Sequence, residues 1–204
     1  MSKDRNLRLV WLYFIYYWVI FGIGTYFGQY LPESWRPTAS MVVFGILMIS
    51  LFVRGFNRAG PVISHFYAIL IGLVSYGLFE SFIEDFGSGI FYRVIILGVL
   101  VFIFFGFIGY FWLDDVSHWG KYLFIALLIV IFASLMNFFI NLPYLSLIIT
   151  IAALVVYVCF TMYDFNRIKN KKYTPRVMGF HLFINLLMII KRLLRLYRYV
   201  NSRR

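Results

Sequence analysis

The stretch YLSLIITIAALVVYVCFTMYDFNRIK, residues 144–169, decides the class of fold. Its apolar part, residues 144–163, has the length of about twenty residues that a helix needs to cross the hydrocarbon core of a bilayer. The apolar run ends at a carboxylate, Asp164, and basic residues follow it. The stretch therefore predicts a membrane-spanning helix with an acidic residue at its end.

The composition of the whole chain indicates the same class. Of the 204 residues, 63% are hydrophobic and 13% are charged, whereas a soluble domain has about half and about a quarter. The apolar residues form seven segments: 9–30, 38–53, 61–79, 90–112, 122–141, 144–163 and a weaker one at 177–190. Because the connections are too short for a soluble domain, we expect one all-α integral membrane bundle of seven transmembrane helices over residues 1–204.

The positive charges are placed as in a membrane protein. The net charge is +11, and most of the 19 Lys and Arg residues lie between or beyond the apolar segments. This placement predicts contact with the lipid bilayer and its anionic headgroups. Nucleic-acid binding is not expected, because the aromatic residues lie inside the apolar segments rather than on a solvated basic face.

Charge asymmetry also predicts the orientation. The N terminus and the 54–60 and 164–176 loops are basic, which places them in the cytosol of a cell membrane. The basic tail after the last apolar segment fits this orientation less well. Seven spans put it outside, whereas six spans with an interfacial last helix keep it inside. We take seven spans as the prediction.

The sequence carries no signature of an enzyme. HExxH, CxxC, P-loop and GxSxG patterns are absent, and no acidic residue follows Asp164 to complete an aspartyl-protease pair. We therefore expect neither a catalytic site nor a metal site, and no cofactor. Gly24 and Gly28 form a GxxxG pattern, which is typical of helix packing.

The candidate functional residues surround Asp164. His181 and Asn185 lie one turn apart in the last segment, and both approach Asp164 if the last two helices are antiparallel. Two basic residues after the second segment are alternative partners: Arg54 and Arg58. Asp164 is either a site for a proton or a cation, or a solvated helix end paired with Arg167.

A second group of acidic residues is predicted at the other end of the bundle. The 80–88 loop carries Glu80, Glu84 and Asp85. Since alternation of the spans places this loop outside, these carboxylates would form an outer acidic mouth that attracts cations.

Several short motifs resemble those of the Bax inhibitor family in its bacterial form. Residues 163–169, YDFNRIK, resemble its Tyr-Asp-x-x-x-Ile pattern, and residues 183–187, FINLL, resemble its Phe-Ile-Asn-Leu-Phe. Residues 193–195, LLR, and 115–119, DVSHW, are similar to further elements of the family. The resemblance implies seven helices with the last one enclosed by the others. It also implies a pH-sensitive calcium leak, although some members are cytoprotective or bind membrane proteases.

The chain departs from the family at its sensor, which is a pair of aspartates that share a proton. Asp164 matches the first aspartate, but Leu182 occupies the position of the second. A lone carboxylate among basic residues stays ionised at neutral pH. We therefore expect Asp164 to pair with a basic residue and so close the cytosolic end. With His181 as the partner, this gate would titrate between about pH 5 and 8.

Two functions remain open from the sequence. The first is a slow leak for cations, calcium or protons, gated at Asp164, in which calcium is the permeant ion. The second is a non-conducting membrane scaffold that regulates stress-response or membrane-protease partners. The sequence does not determine the oligomeric state.

Overall fold

The computed structural model describes residues 3–52, 56–140, 142–170 and 173–201. Over these residues the chain forms seven α-helices: α1 (Lys3–Gly28), α2 (Arg36–Phe52), α3 (Phe56–Phe86), α4 (Ser88–Phe107), α5 (Trp119–Ile140), α6 (Pro143–Lys169) and α7 (Pro175–Asn201). A 3-10 turn precedes α2, and a π-helical turn, Ile108–Trp112, continues α4. The predicted all-α bundle is confirmed.

Six of the described helices are long and apolar enough to cross a membrane, and α2 is the remaining one. With 17 residues, α2 is at the lower limit for a span. Lipid can surround the bundle because large apolar side chains are exposed along its helices, as in Ile96 and Leu100 of α4. The fold is that of a multi-pass membrane protein.

The last helix lies at the centre of the bundle, as the family resemblance implied. In α7, 56% of the most apolar stretch is buried, whereas no other span exceeds 33%. This helix packs against α1, α4 and α6. By contrast, only 6% of the corresponding stretch of α5 is buried, and α5 packs mainly on α6. The central position of α7 means that a movement of this helix would affect most of the core.

Close packing of α1 on α3 depends on glycine. A Cβ atom at Gly24 would overlap the Ile69 backbone, and one at Gly28 would lie 2.6 Å from the Tyr76 Cβ. On the opposite helix, Gly72 approaches the Phe21 backbone in the same way. The predicted packing role of the GxxxG pattern is confirmed, because only small residues allow two helices to approach this closely.

Helices α3, α6 and α7 continue further at their C-terminal ends than the hydropathy pattern predicts. The predicted 80–88 loop is wrong, because α3 continues to Phe86 and only Gly87 separates it from α4. Gly87 has a φ of +83°, a conformation that glycine adopts without strain. The predicted 164–176 loop is also too long, since α6 continues to Lys169. Asp164 therefore lies more than one turn inside its helix.

The bundle has two ends, which we name by their residues. The Asp164 end carries the start of α1, residues 113–118, the end of α6 and residues 173–174. The tail end carries the end of α3 and Asn201. Arg198 of α7 lies 3.0 Å from Asp85 and donates a 2.9 Å hydrogen bond to Ser81 Oγ, both on α3. These contacts and its burial show that α7 runs through the bundle instead of lying along its surface.

Candidate functional site

Asp164 is buried at the contact between α6 and α7. Its side chain is 2% exposed. One carboxylate oxygen, Oδ2, accepts a 2.9 Å hydrogen bond from Nδ2 of Asn185. The other oxygen, Oδ1, lies 3.5 Å from Nδ1 of His181 and 3.7 Å from a guanidinium nitrogen of Arg167. The structure thus brings together Asp164, His181 and Asn185, and it also places Arg167, the partner named in the alternative interpretation, beside Asp164.

The two oxygens of Asp164 have different surroundings. Oδ2 has a hydrogen-bond donor, whereas Oδ1 is buried and has none within the described part of the chain. The attraction of Oδ1 to its neighbours is therefore mainly ionic, and it depends on whether His181 carries a charge. The His181 side chain is 42% exposed, so protons from solution can reach it. The contact between α6 and α7 at this end therefore combines one hydrogen bond with an attraction that depends on the charge of His181.

The position of the missing family aspartate is apolar and closed. Leu182 is fully buried in a cluster that includes Val10, Val158 and Leu186. His181 is turned about 100° from Leu182 around the helix, and it approaches Asp164 from the edge of the α6–α7 contact. A titratable side chain is therefore present beside Asp164, although it is displaced by one residue and is a base instead of an acid.

Other predicted residues lie elsewhere. Arg54 lies outside the described residues, as does the side chain of Arg58. The carboxylates predicted to form an outer mouth lie on the last two turns of α3, at the tail end. Two of them are in ion pairs, since Glu80 lies 2.8 Å from Arg36 and Asp85 is held by Arg198. The acidic mouth stays a prediction, but two of its three carboxylates already pair with arginines of the protein.

Asn166 was not identified from the sequence, yet it organises the Asp164 end. It is 1% exposed. Its Nδ2 lies within hydrogen-bond distance of three backbone carbonyls in and after the π-helical turn, those of Gly109, Leu113 and Asp114. Its Oδ1 accepts a 3.2 Å hydrogen bond from the backbone N–H of Val116. One amide therefore fixes residues 109–116 against α6, two residues after Asp164 in the same helix.

Lys169 at the end of α6 and Tyr173 just before α7 both contact the Asp164 end of the bundle. Lys169 donates a 2.8 Å hydrogen bond to the Leu113 carbonyl. Tyr173 packs on the apolar core, and burial raises the pKa of its phenol. Since the ordinary pKa of tyrosine is about 10, this ring stays neutral at physiological pH. Lys169 and Tyr173 thus hold the end of α6 and the residues just before α7 at the Asp164 end.

A second polar feature lies in the tail half of the bundle. Lys191, Arg192 and Arg195 of α7 line one cavity of about 300 Å³ between α2 and α5. In the sequence these residues belonged to the basic tail beyond the last apolar segment. They lie beside the bundle instead, because α7 continues as a helix to Asn201.

These features define a class: an integral membrane bundle with a central last helix and a buried carboxylate at one end. Within the described residues, no three His, Cys, Asp or Glu side chains are grouped as a metal site would require. The family model described as "Inhibitor of apoptosis-promoting Bax1" matches residues 3–202. The chain therefore belongs to the Bax inhibitor family.

Proposed function

We propose that this protein is a slow, pH-sensitive cation leak of a cell membrane, closed by a latch between α6 and α7 at Asp164. The observation that carries the proposal is the environment of this carboxylate. It is buried, accepts a hydrogen bond from Asn185 and lies within 4 Å of two basic side chains. The family resemblance supports the transport function, and the basic character of the Asp164 end supports a cytosolic location for the N terminus.

The latch acts through the central position of α7. While His181 is protonated, it attracts Asp164, and the two helices are held together at this end. When His181 loses its proton, the hydrogen bond from Asn185 and the more distant Arg167 remain. The closed state is then less favoured, and a small displacement of α7 opens a path for ions along α6.

Ion flux into proteoliposomes tests this function. The protein is reconstituted at a low protein-to-lipid ratio, and calcium and proton entry are followed with separate indicator dyes. We expect flux above that of empty liposomes, and we expect Asp164→Asn to raise it several-fold because the charge of the latch is lost. Flux that Asp164→Asn leaves unchanged would refute the latch, and flux that the variant abolishes would place Asp164 in the conducting path.

The matched control is Asp114→Asn. This residue is exposed at the same end of the bundle, and its contact with Asn166 is made by its backbone carbonyl, which the substitution retains. It therefore undergoes the same chemical change without affecting the α6–α7 contact. We expect the flux of this variant to match that of the wild type.

A second candidate function is a non-conducting membrane scaffold, and one observation favours it. Three basic side chains line the cavity in the tail half, and no described carboxylate lies within ion-pair distance of them. The positive charge of these three side chains would repel a calcium ion that passes the cavity. Absence of both calcium and proton flux in every variant would support this candidate.

A further inference from the structure

The cavity beside α7 has the charge and the donors of an anion site. Three cationic side chains line it: Lys191, Arg192 and Arg195. Its walls also carry neutral hydrogen-bonding groups, the hydroxyls of Ser40, Ser134, Tyr67 and Tyr157. No acidic residue lines it. The remaining lining is aliphatic, so the polar groups are concentrated on α7 and at a few facing positions.

The basic side chains of this cavity lack protein partners of opposite charge. Lys191 donates a 3.1 Å hydrogen bond to Ser75 Oγ, which satisfies one of its three donors. Arg192 and Arg195 form no ion pair within the described part of the chain. Two other arginines at the tail end differ, since Arg36 and Arg198 each have a carboxylate within 3.0 Å.

Lys191, Arg192 and Arg195 lie so far from the end of α7 that a missing partner costs free energy. They precede Asn201 by six to ten residues, which corresponds to about 9–15 Å along the helix. Cations at such a depth are normally paired or extend to the headgroups. Lys191 and Arg192 are half-buried, and Arg195 is exposed at the cavity. An anion that enters the cavity would therefore meet several unused donors in one place.

We propose that this cavity is a binding site for a phosphate-type anion, held by Lys191, Arg192 and Arg195. Arginine forks and a lysine ammonium are the groups that proteins use for phosphate oxygens. A volume of about 300 Å³ accommodates such a group. The anion can come from a phospholipid headgroup at the membrane surface or from free phosphate in solution. This proposal does not depend on ion conduction.

Binding measurements on the purified full chain distinguish the two sources. The protein is placed in a zwitterionic detergent with phosphatidylcholine, and phosphatidylglycerol or inorganic phosphate is then titrated. Bound lipid is counted by native mass spectrometry, and the thermal unfolding midpoint is followed in parallel. Preference for phosphatidylglycerol over phosphatidylcholine supports a headgroup, whereas a rise of the midpoint with phosphate supports a free anion.

The test variant is the pair Arg192→Gln and Arg195→Gln, and Lys191→Met is a second variant. We expect the pair to weaken binding of the preferred anion at least tenfold. Arg93→Gln is the matched control for Arg195→Gln, because each substitution removes one positive charge. Arg93 is exposed on α4 near the same end of the bundle, and it does not line the cavity. We expect this control to bind as the wild type does.

Two results would overturn the proposal. One is the absence of any preference for either anion in the wild type. The other is an equal loss of binding in Arg93→Gln and Arg195→Gln, which would show a general attraction of the positive surface. If the arginine pair prevents folding, Lys191→Met and Arg195→Gln alone give the same comparison. Because the readout is binding, failure here leaves the proposed leak unaffected.

Discussion

At the scale of single residues, His181 gives the contact with Asp164 a pH dependence of definite sign. A protonated His181 attracts the carboxylate across 3.5 Å, whereas a neutral one does not. We therefore expect the leak of the wild-type protein to increase between an acidic and a mildly alkaline buffer. The measurement is the initial rate of dye response in proteoliposomes at equal pH on both sides.

The variant that checks this assignment is His181→Gln. It keeps a polar side chain and removes the titration, so its leak should be high and nearly constant across the same pH range. His118→Gln is a suitable control, since His118 is exposed at the same end and does not contact Asp164. A pH profile of His181→Gln that follows the wild type would show that another group controls the response.

Asn166 carries a prediction about stability. Asn166→Ala leaves the Val116 N–H and several carbonyls without their partner, and each buried unsatisfied group costs about 1–3 kcal/mol. We expect a loss of about 2–4 kcal/mol in the free energy of unfolding, because some groups will recover water. Reversible unfolding in mixed micelles measures it. Asn170→Ala removes only a bond to Asn166 and should cost under about 1 kcal/mol.

The sequence predicted part of this site. The helical spacing of His181 and Asn185 was sufficient to bring both to Asp164, because two antiparallel helices with a short connection leave little freedom of register. Asn166 could not be found in the same way, since its partners are backbone groups 50 or more residues away in the chain. A lone asparagine beside a lysine and arginine cluster gives no signal of such contacts.

At the scale of helices, the packing of α1 on α3 makes a prediction about glycine. Gly24→Ala places a methyl group against the Ile69 backbone, which cannot move without displacing α3. We expect a loss of about 1–3 kcal/mol in the free energy of unfolding, as for other overpacked contacts. Unfolding in mixed micelles again provides the measurement.

The same helix offers the control for this prediction. Gly22 lies two residues earlier, and a Cβ there meets no atom within 4 Å. Gly22→Ala should therefore be neutral or slightly stabilising, since alanine favours a helix over glycine by up to about 1 kcal/mol. Equal destabilisation by both substitutions would contradict the close contact of α1 with α3.

The helix ends show what hydropathy can and cannot predict. The apolar segments located the helices, but the predicted ends of α3, α6 and α7 were too early. The hydropathy pattern indicates where the hydrocarbon core of the membrane ends. A helix can continue beyond that point for as long as its backbone hydrogen bonds form. Arg167 and Lys169 can extend α6 because cations are favourable near a helix C terminus. For this reason Asp164 is buried within a helix instead of free at its end.

At the scale of the whole molecule, the path of α7 predicts the topology. Because α7 runs from the Asp164 end to the tail end, the N terminus and the tail should be on opposite sides of the membrane. Asn6→Cys and Val200→Cys, both at exposed positions, can be made in a Cys159→Ser background. A membrane-impermeant maleimide should label one of them from outside and the other only after permeabilisation.

Labelling of both positions from the same side would contradict this topology and would favour six spans. The family resemblance favoured seven spans, whereas charge counting favoured six. It treated Lys191, Arg192 and Arg195 as part of a solvated tail, whereas the structure places them against a cavity beside the core. The rule that relates charge to orientation applies to residues in loops, and these residues belong to a spanning helix.

The central claim is that Asp164 and His181 act as one latch, and a double-mutant cycle on leak rate tests it most directly. The rates of the wild type, Asp164→Asn, His181→Gln and the double variant are compared in one acidic buffer. The latch predicts that each single variant raises the rate and that the double variant raises it no further. Independent, multiplying effects, or a rate for Asp164→Asn equal to that of the wild type, would contradict it.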